Sequence, residues 1–283
     1  MSIKVENLSY IYMQGTPFET LAVDNVSFEI EQGEFIAIIG HTGSGKSTLI
    51  QQLNGLLIPT SGRVLVDGFE ISASKKDLKE IRSRVGLVFQ YPEYQLFEET
   101  VAKDVAFGPK NRSIPENEIE VLVRDAITDM GLDYDEVAEL SPFELSGGQK
   151  RRVAIAGVLA MNPDIIIFDE PTAGLDPKGR ELLFESINKV RKKGKTIILI
   201  SHSMDDVARL ADRIFVMSEG KLVFTGTPSE VFSEKNANLK LDPPQLSLLA
   251  SELNRSGKFH IPDGIFDVDS MTRVIIDELG GKN

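Results

Sequence analysis

Cysteine is missing from this chain of 283 residues, so it can form neither a disulfide framework nor a thiolate metal site, and a reducing compartment suits it. Also missing is any apolar run of transmembrane length. The longest, FIAII at 35–39 and TIILI at 196–200, have the length of strands, so no segment is expected to cross a bilayer as a helix. The opening stretch MSIKVENLSY carries no apolar signal core. Positive charge is scarce: 31 Lys and Arg stand against 43 Asp and Glu, a net charge of −12. Such a surface repels nucleic acid and anionic head groups, so no nucleic-acid partner is expected. The two dense basic clusters, KRR at 150–152 and RKKGK at 191–195, read as helix-end charges. Internal repeats and low-complexity segments are absent too. With 41% hydrophobic and 26% charged residues, the chain has an ordinary globular composition and the length for a sizeable core.

The pattern along the chain is that of an α/β protein. IKVENLSYIY and LAVDNVSFEI alternate apolar with polar residues and predict antiparallel strands in the first 35 residues. FIAII, DIIIFDEP (164–171) and KTIILISH (195–202) are apolar runs separated by helical segments, which predicts a buried parallel sheet. VGLVFQ (85–90) is a further strand candidate, Asp67-Gly68 marks a tight turn, and RIFVM-SEG-KLVFTG (213–226) reads as a hairpin. From Tyr91 to Glu144 the texture turns charged and helical, punctuated by Pro92, Pro109, Pro115 and Pro142, which predicts a mostly helical insertion. The tail holds two short amphipathic helices. The expected organisation is therefore residues 1–230 with a helical subdomain at about 91–163, then a small appended module at 231–283.

Gly40-His41-Thr42-Gly43-Ser44-Gly45-Lys46-Ser47 matches G-x-x-x-x-G-K-[ST] and is extended by Thr48, between a predicted strand and a predicted helix. Glycines let such a loop turn its N–H groups inward on phosphate oxygens, Lys46 would reach the β- and γ-phosphates, and the Ser47 hydroxyl would ligate Mg²⁺. Asp169 and Glu170 close the apolar run 165–168, which puts them at the carboxyl edge of the sheet where ligands collect. There Asp169 would hold Mg²⁺, and Glu170 would polarise an attacking water as general base. His202 and Gln90 end two other strands, candidates for a γ-phosphate contact and for a metal-directed amide oxygen. A second glycine-rich device follows at Leu145-Ser146-Gly147-Gly148-Gln149. A helix start of this kind can bind an anion, and Ser146-x-x-Gln149 also satisfies a plain capping box; one helix end can do both.

The ordered set GHTGSGKST, Gln90, LSGGQ, IIIFDEP, AGLD (173–176) and His202 resembles the nucleotide-binding subunit of ATP-binding cassette (ABC) transporters over residues 1 to about 230. The resemblance implies a P-loop NTPase core with an antiparallel β-subdomain and an inserted helical subdomain. It implies an aromatic residue stacking on adenine, for which Tyr12 and Tyr10 compete. It further implies head-to-tail dimers in which Ser146, Gly147, Gly148 and Gln149 of one subunit cover the ATP on the partner's P-loop, with Asp176 across the same interface. More narrowly, HTGSGKSTLIQQLNGLLIPTSG, VGLVFQYPEYQLFEETVAKDVAFGPKN and LSGGQKRRVAIAGVLAMNPDIIIFDEPTAGLDP are similar to ATPases of energy-coupling factor transporters, importers of vitamins or of cobalt and nickel ions. QYPEYQLFEETV and DEPTAGLDP resemble the second (A-prime) type, which pairs with a homologous ATPase, and the C-terminal segment is similar to that group's dimerisation segment. The resemblance thus implies ATP and Mg²⁺ as ligands and an ATP hydrolase on the cytoplasmic face of the cell membrane. Its partners would be a second ATPase, a transmembrane coupling subunit and a substrate-binding membrane subunit. ATPases of binding-protein-dependent importers, and soluble cassettes of DNA repair or translation, are the rival readings.

Overall fold

The computed structural model describes residues 2–280 apart from residues 73, 113 and 240. Strands β1 (Ile3–Tyr12) and β2 (Thr20–Ile30) pair antiparallel and bury Ile3, Val5, Leu8, Val23, Val26 and Ile30 on one face, as their alternation predicts. Strand β3 (Phe35–Ile39) is buried throughout and runs through the glycine loop into helix α1 (Lys46–Leu53). Strands β4 (Ser61–Val66) and β5 (Phe69–Glu70) complete the antiparallel sheet in the order β2-β1-β4-β5. They are joined at Asp67-Gly68, both with positive φ, the backbone of a type I′ turn. Helix α2 (Lys75–Arg84) occupies a charged stretch for which the sequence carries no clear helical stripe. Ser74 caps it, and Leu78 and Ile81 suffice to dock it on the core.

Strand β6 (Val85–Val88) leads into a single 3-10 turn, Pro92–Gln95, and the helical insertion follows: α3 (Val101–Asn111), α4 (Glu116–Asp129), α5 (Tyr134–Val137) and α6 (Gly147–Leu159). Then come β7 (Ile165–Asp169), α7 (Pro177–Lys192), β8 (Thr196–Ile200), α8 (Met204–Leu210), β9 (Arg213–Ser218), β10 (Lys221–Gly226) and α9 (Pro228–Val231). The main sheet has the order β10-β9-β3-β8-β7-β6, parallel except for β10. The expected 213–226 hairpin is present, and β9 in addition extends the parallel sheet beside β3.

Side-chain alternation divides this sheet between two cores. Phe35, Val88, Ile166, Phe168, Ile197 and Leu199 face the helices of the insertion and α7. Ile36, Ile38, Ile165, Ile167, Ile198 and Ile200 face α1, α2 and the antiparallel sheet. A sheet buried on both faces needs strands that are apolar almost throughout, as β3 and β6 are and as β8 is after Thr196. Helices α10 (Gln245–Arg255) and α11 (Val268–Gly280) pack on each other through Leu246, Ala250, Leu253, Ile261, Met271 and Val274 as a small core of their own. Residues 281–283 of the expected 231–283 module lie outside the described residues.

One expectation about charge is corrected. RKKGK does cap a helix: Arg191 and Lys192 lie in the last turn of α7. KRR instead lies in the first turns of α6, where the helix dipole disfavours cations, and Arg151 is buried. Its position four residues before Ile155, on the face that turns inward, is the signal a charge-based reading passes over.

Candidate active site at the carboxyl edge of the sheet

Four parallel strands deliver the predicted residues to one edge: β3 the glycine loop, β7 Asp169 and Glu170, β8 His202, and β6 Gln90. In the glycine loop, Gly40 and Gly45 have φ of 147° and 99°. A Cβ at Gly40 would stand 2.1 Å from the carbonyl oxygen of Met217, and one at Gly45 would stand 2.4 Å from that of Ala22. Only glycine fits either place. Gly43 also has positive φ but looks onto open space, and His41 is exposed with its Nδ1 2.9 Å from the Thr42 carbonyl. Lys46 is buried, and its Nζ donates to the carbonyls of Gly40 and His41 at 2.7 and 3.0 Å. The ammonium is thus folded into the loop it would otherwise reach across. Burial pulls the Lys46 ammonium down from its ordinary value, against the pull of Glu170 and Asp169. Ser44 Oγ is buried with no hydrogen-bond partner among the described residues, an unmet polar group inside a cradle shaped for phosphate oxygens.

Glu170 is gripped at both carboxylate oxygens. His202 Nε2 sits 2.9 Å from Oε1, and Gln90 Nε2 donates to Oε2 over 3.1 Å. Two residues from two other strand ends, far apart in sequence, therefore converge on the Glu170 carboxylate. Glu170 itself has φ 49°, and Tyr91, directly after Gln90, has φ 54°. Left-handed backbone at non-glycine residues costs about 1–3 kcal/mol each and persists only where the surroundings enforce it. Beside Glu170, burial raises the Asp169 carboxyl, the neighbouring Glu170 charge adds to it, and Lys46 and a Ser47 hydrogen bond oppose it. Ser47, Asp169 and Gln90 form an all-oxygen donor set of the kind Mg²⁺ prefers. Among the described residues no cluster of three His, Asp or Glu could hold a metal alone. A cation here would take much of its coordination from phosphate and water, as Mg²⁺ does in nucleotide sites.

The two aromatic candidates differ in exposure. Tyr12 presents 37% of its surface and its hydroxyl lies 3.2 Å from Thr48 Oγ1. Tyr10 packs on the core of the antiparallel sheet and meets Tyr12 edge-on, with ring centroids 4.8 Å apart.

Ser146, Gly147, Gly148, Gln149 and Asp176 line a different place, an open cleft of about 530 Å³ between α6 and α7 that no glycine-loop residue reaches. Ser146 caps α6 in a full capping box: its N–H and hydroxyl donate to Gln149 Oε1 at 3.0 and 2.8 Å. Asp176 caps α7 through Gly179 N–H at 2.6 Å. A Cβ on Gly147 or Gly148 would touch nothing within 4 Å. These glycines serve no packing need of their own chain, and their bare N–H groups open onto the cleft.

Residues 23–173 match the ABC transporter family. Over the whole chain the sequence is 54% identical to the energy-coupling factor transporter ATP-binding protein EcfA2 of Clostridium tetani, covering 99% of that protein. It is likewise 54% identical to EcfA2 of Clostridium perfringens, covering all of it. Among solved structures, CbiO1 from Clostridium perfringens, described as part of the ABC transporter complex CbiONQ, superposes with a TM-score of 0.76 at 41% identity, over 91% of this chain and 98% of that one. The ATP-binding cassette MJ0796, a dimer in a post-hydrolysis state with ADP and Pi, superposes with a TM-score of 0.70 at 32% identity, over 80% and 98%. The glycine loop, the gripped Glu170 and the glycine-bare helix end thus belong to a member of the ABC transporter family, in its energy-coupling factor ATP-binding branch.

Proposed function

We propose that this chain is the ATP-hydrolysing subunit of an energy-coupling factor importer, and that it works as one half of a paired ATPase. The observation that carries the reading is the Glu170 carboxylate, held between Gln90 and His202 beside the buried Lys46. Lys46 leaves the carbonyls of Gly40 and His41 to meet the β- and γ-phosphates, and the loop N–H groups take the remaining oxygens. Glu170 accepts a proton from the attacking water, and His202, already at its carboxylate, is placed to contact the γ-phosphate. Ser47, Asp169 and Gln90 would hold Mg²⁺, which would neutralise developing phosphate charge. Tyr12, with its open ring, stacks on adenine.

The cleft at Ser146 is the other half of a second site. Ser146 and the Gly147 and Gly148 N–H groups, backed by the α6 dipole, cap ATP bound to the partner subunit, with Asp176 alongside. A separate apolar groove of about 1080 Å³, with Leu78, Phe97, Phe107, Val158 and Met161 in its walls, suits a helix of a transmembrane coupling subunit. No described helix is long and apolar enough to cross a membrane. In the proposed importer the chain is a peripheral subunit that docks on the membrane subunits from the cytoplasmic face. The cassette is taken as residues 1–230, with its helical part at about 91–163 and a dimerisation segment after it. The partner ATPase is a homologue, the second membrane subunit binds substrate, and the cargo is a vitamin or a transition-metal ion.

Purified with its partner, the chain should hydrolyse ATP, and Lys46→Ala should lower its nucleotide affinity at least about tenfold, the scale of one charge-assisted contact. Undiminished affinity in that variant would overturn the assignment of the loop.

A further inference from the structure

Arg151 is 3% exposed, and every one of its described bonds reaches outside its own helix. Nε and Nη2 donate to the two carboxylate oxygens of Glu93 at 2.9 and 2.6 Å. Nη1 donates to the carbonyls of Pro171, at 3.1 Å, and Ala173. The Tyr91 ring lies against the guanidinium, 5.6 Å from its centroid. Glu93 follows Gln90 by three residues, Pro171 follows Glu170 directly, and Arg151 stands just over a turn into the helix that Ser146 caps.

One planar fork therefore joins the segment of Gln90, the segment of Glu170 and the helix end of Ser146. It also braces both strained residues. The Glu93 pair lies two positions beyond Tyr91 and the Pro171 carbonyl one beyond Glu170, so the left-handed backbone at each is held from outside. A lysine cannot do this: its ammonium is a single point with three donors, whereas the guanidinium spans a carboxylate and two carbonyls at once.

We infer that Arg151 is a positioning residue that couples the two half-sites of this chain. The same side chain fixes Glu170 and Gln90 against the chain's own nucleotide loop and fixes the Ser146 end presented to the partner's nucleotide. A displacement of Gln90 would pass through this fork to the helix end serving the other ATP. The inference rests on the proposed reading of Glu170 as base and of a paired ATPase.

The test uses the full-length chain with its partner ATPase, comparing Arg151→Lys and Arg151→Met with the unsubstituted protein. Readouts are affinity for a fluorescent ATP analogue, kcat and KM, the Hill coefficient for ATP, the thermal midpoint, and ATP-driven association in a Glu170→Gln background followed by light scattering. Arg151→Lys is expected to bind the analogue within about threefold of the unsubstituted protein, because the glycine loop is untouched. Its kcat should fall at least about tenfold at little-changed KM, the scale of a misplaced catalytic group. The Hill coefficient should drop towards one, and association should require more protein.

A merely structural role would lower the thermal midpoint and leave kcat per folded molecule and the Hill coefficient unchanged; that outcome overturns the inference. Should Arg151→Met not fold, Arg151→Lys alone decides. Failure of the unsubstituted protein to bind the analogue would overturn the proposed function, and this inference with it. Intact binding with ordinary turnover and cooperativity in Arg151→Lys overturns this inference alone.

Discussion

Glu170 is the base in the proposed mechanism, and its surroundings suit that role: side-chain nitrogens of His202 and Gln90 at its two oxygens, a left-handed backbone beneath it, and the Asp169 carboxyl raised beside it. Glu170→Gln keeps the shape and the hydrogen-bonding capacity but cannot accept a proton. Turnover should fall by about 10²–10⁴, the span of general-base contributions, while ATP remains bound; a steady-state phosphate-release assay beside equilibrium binding measures both. At Glu93, burial alone would push the carboxyl up, but the Arg151 hydrogen bond, a backbone hydrogen bond and the Arg151 charge together outweigh it and hold the group below its ordinary value. Glu93 thus binds fewer protons folded than unfolded at mildly acid pH. Its stabilisation is complete above the ordinary carboxylate range and is lost as pH falls through the lowered folded value, from about pH 5 downward. Urea unfolding across that window should show a shallower acid loss in Glu93→Gln than in the unsubstituted chain, and parallel curves would remove the pair from the acid response. The same pair shows what a charge count cannot see: Glu93 reads in the sequence as a solvated acid, and only the fold brings it to Arg151, 58 residues on.

At the level of elements, what the sequence makes legible is what local chemistry dictates. β3 and β7 are apolar runs flanked by glycine or acidic residues, β8 is an apolar run between Lys195 and Ser201, and Asp67-Gly68 favours the tight turn with positive φ at both positions that the fold contains. With those strands in place, parallel pairing brings Lys46, Glu170 and His202 to one edge, so the catalytic half of the site follows from order along the chain. Helix α2 is hidden because two apolar side chains, Leu78 and Ile81, anchor a charged segment whose own pattern is weak. The link of β9 to β3 is hidden because a hairpin motif states its own pairing and not its second neighbour. Helix α6 is read correctly at its start, and its two glycines allow a sharp test. Since a Cβ on Gly148 meets nothing, Gly148→Ala should leave stability unchanged or raise it by up to about 1 kcal/mol, alanine being the better helix former. Turnover of the paired enzyme should nevertheless fall, because the methyl group occupies the place of the partner's phosphate. Thermal melts set beside ATPase rates decide the point, and parallel losses in both would mean that the glycine serves packing after all.

The proposed pairing follows from the whole molecule: its glycine loop and its Ser146 cleft lie on separate surfaces, and a second subunit would complete each as a nucleotide site. The P-loop edge offers Lys46, the proposed base Glu170 and oxygen donors for Mg²⁺, and among the described residues the Ser146 helix end does not reach it. The Ser146 cleft has glycine-bare N–H groups and a helix dipole but no lysine loop of its own. A net charge of −12 repels a partner ATPase of like sign, so association with such a partner should depend on nucleotide and tighten as ionic strength screens the charge. Light scattering of Glu170→Gln with its partner, with and without ATP and at two salt concentrations, reads this directly. The most direct test is a mixed dimer in which this chain alone carries Ser146→Arg and hydrolysis is followed separately at each P-loop. The site built on the partner's P-loop should lose roughly 100-fold in turnover, as when a preorganised donor is removed, while the site on this chain's own Lys46 is affected far less. Loss at this chain's own P-loop, with the partner's site intact, would contradict the cross-subunit arrangement.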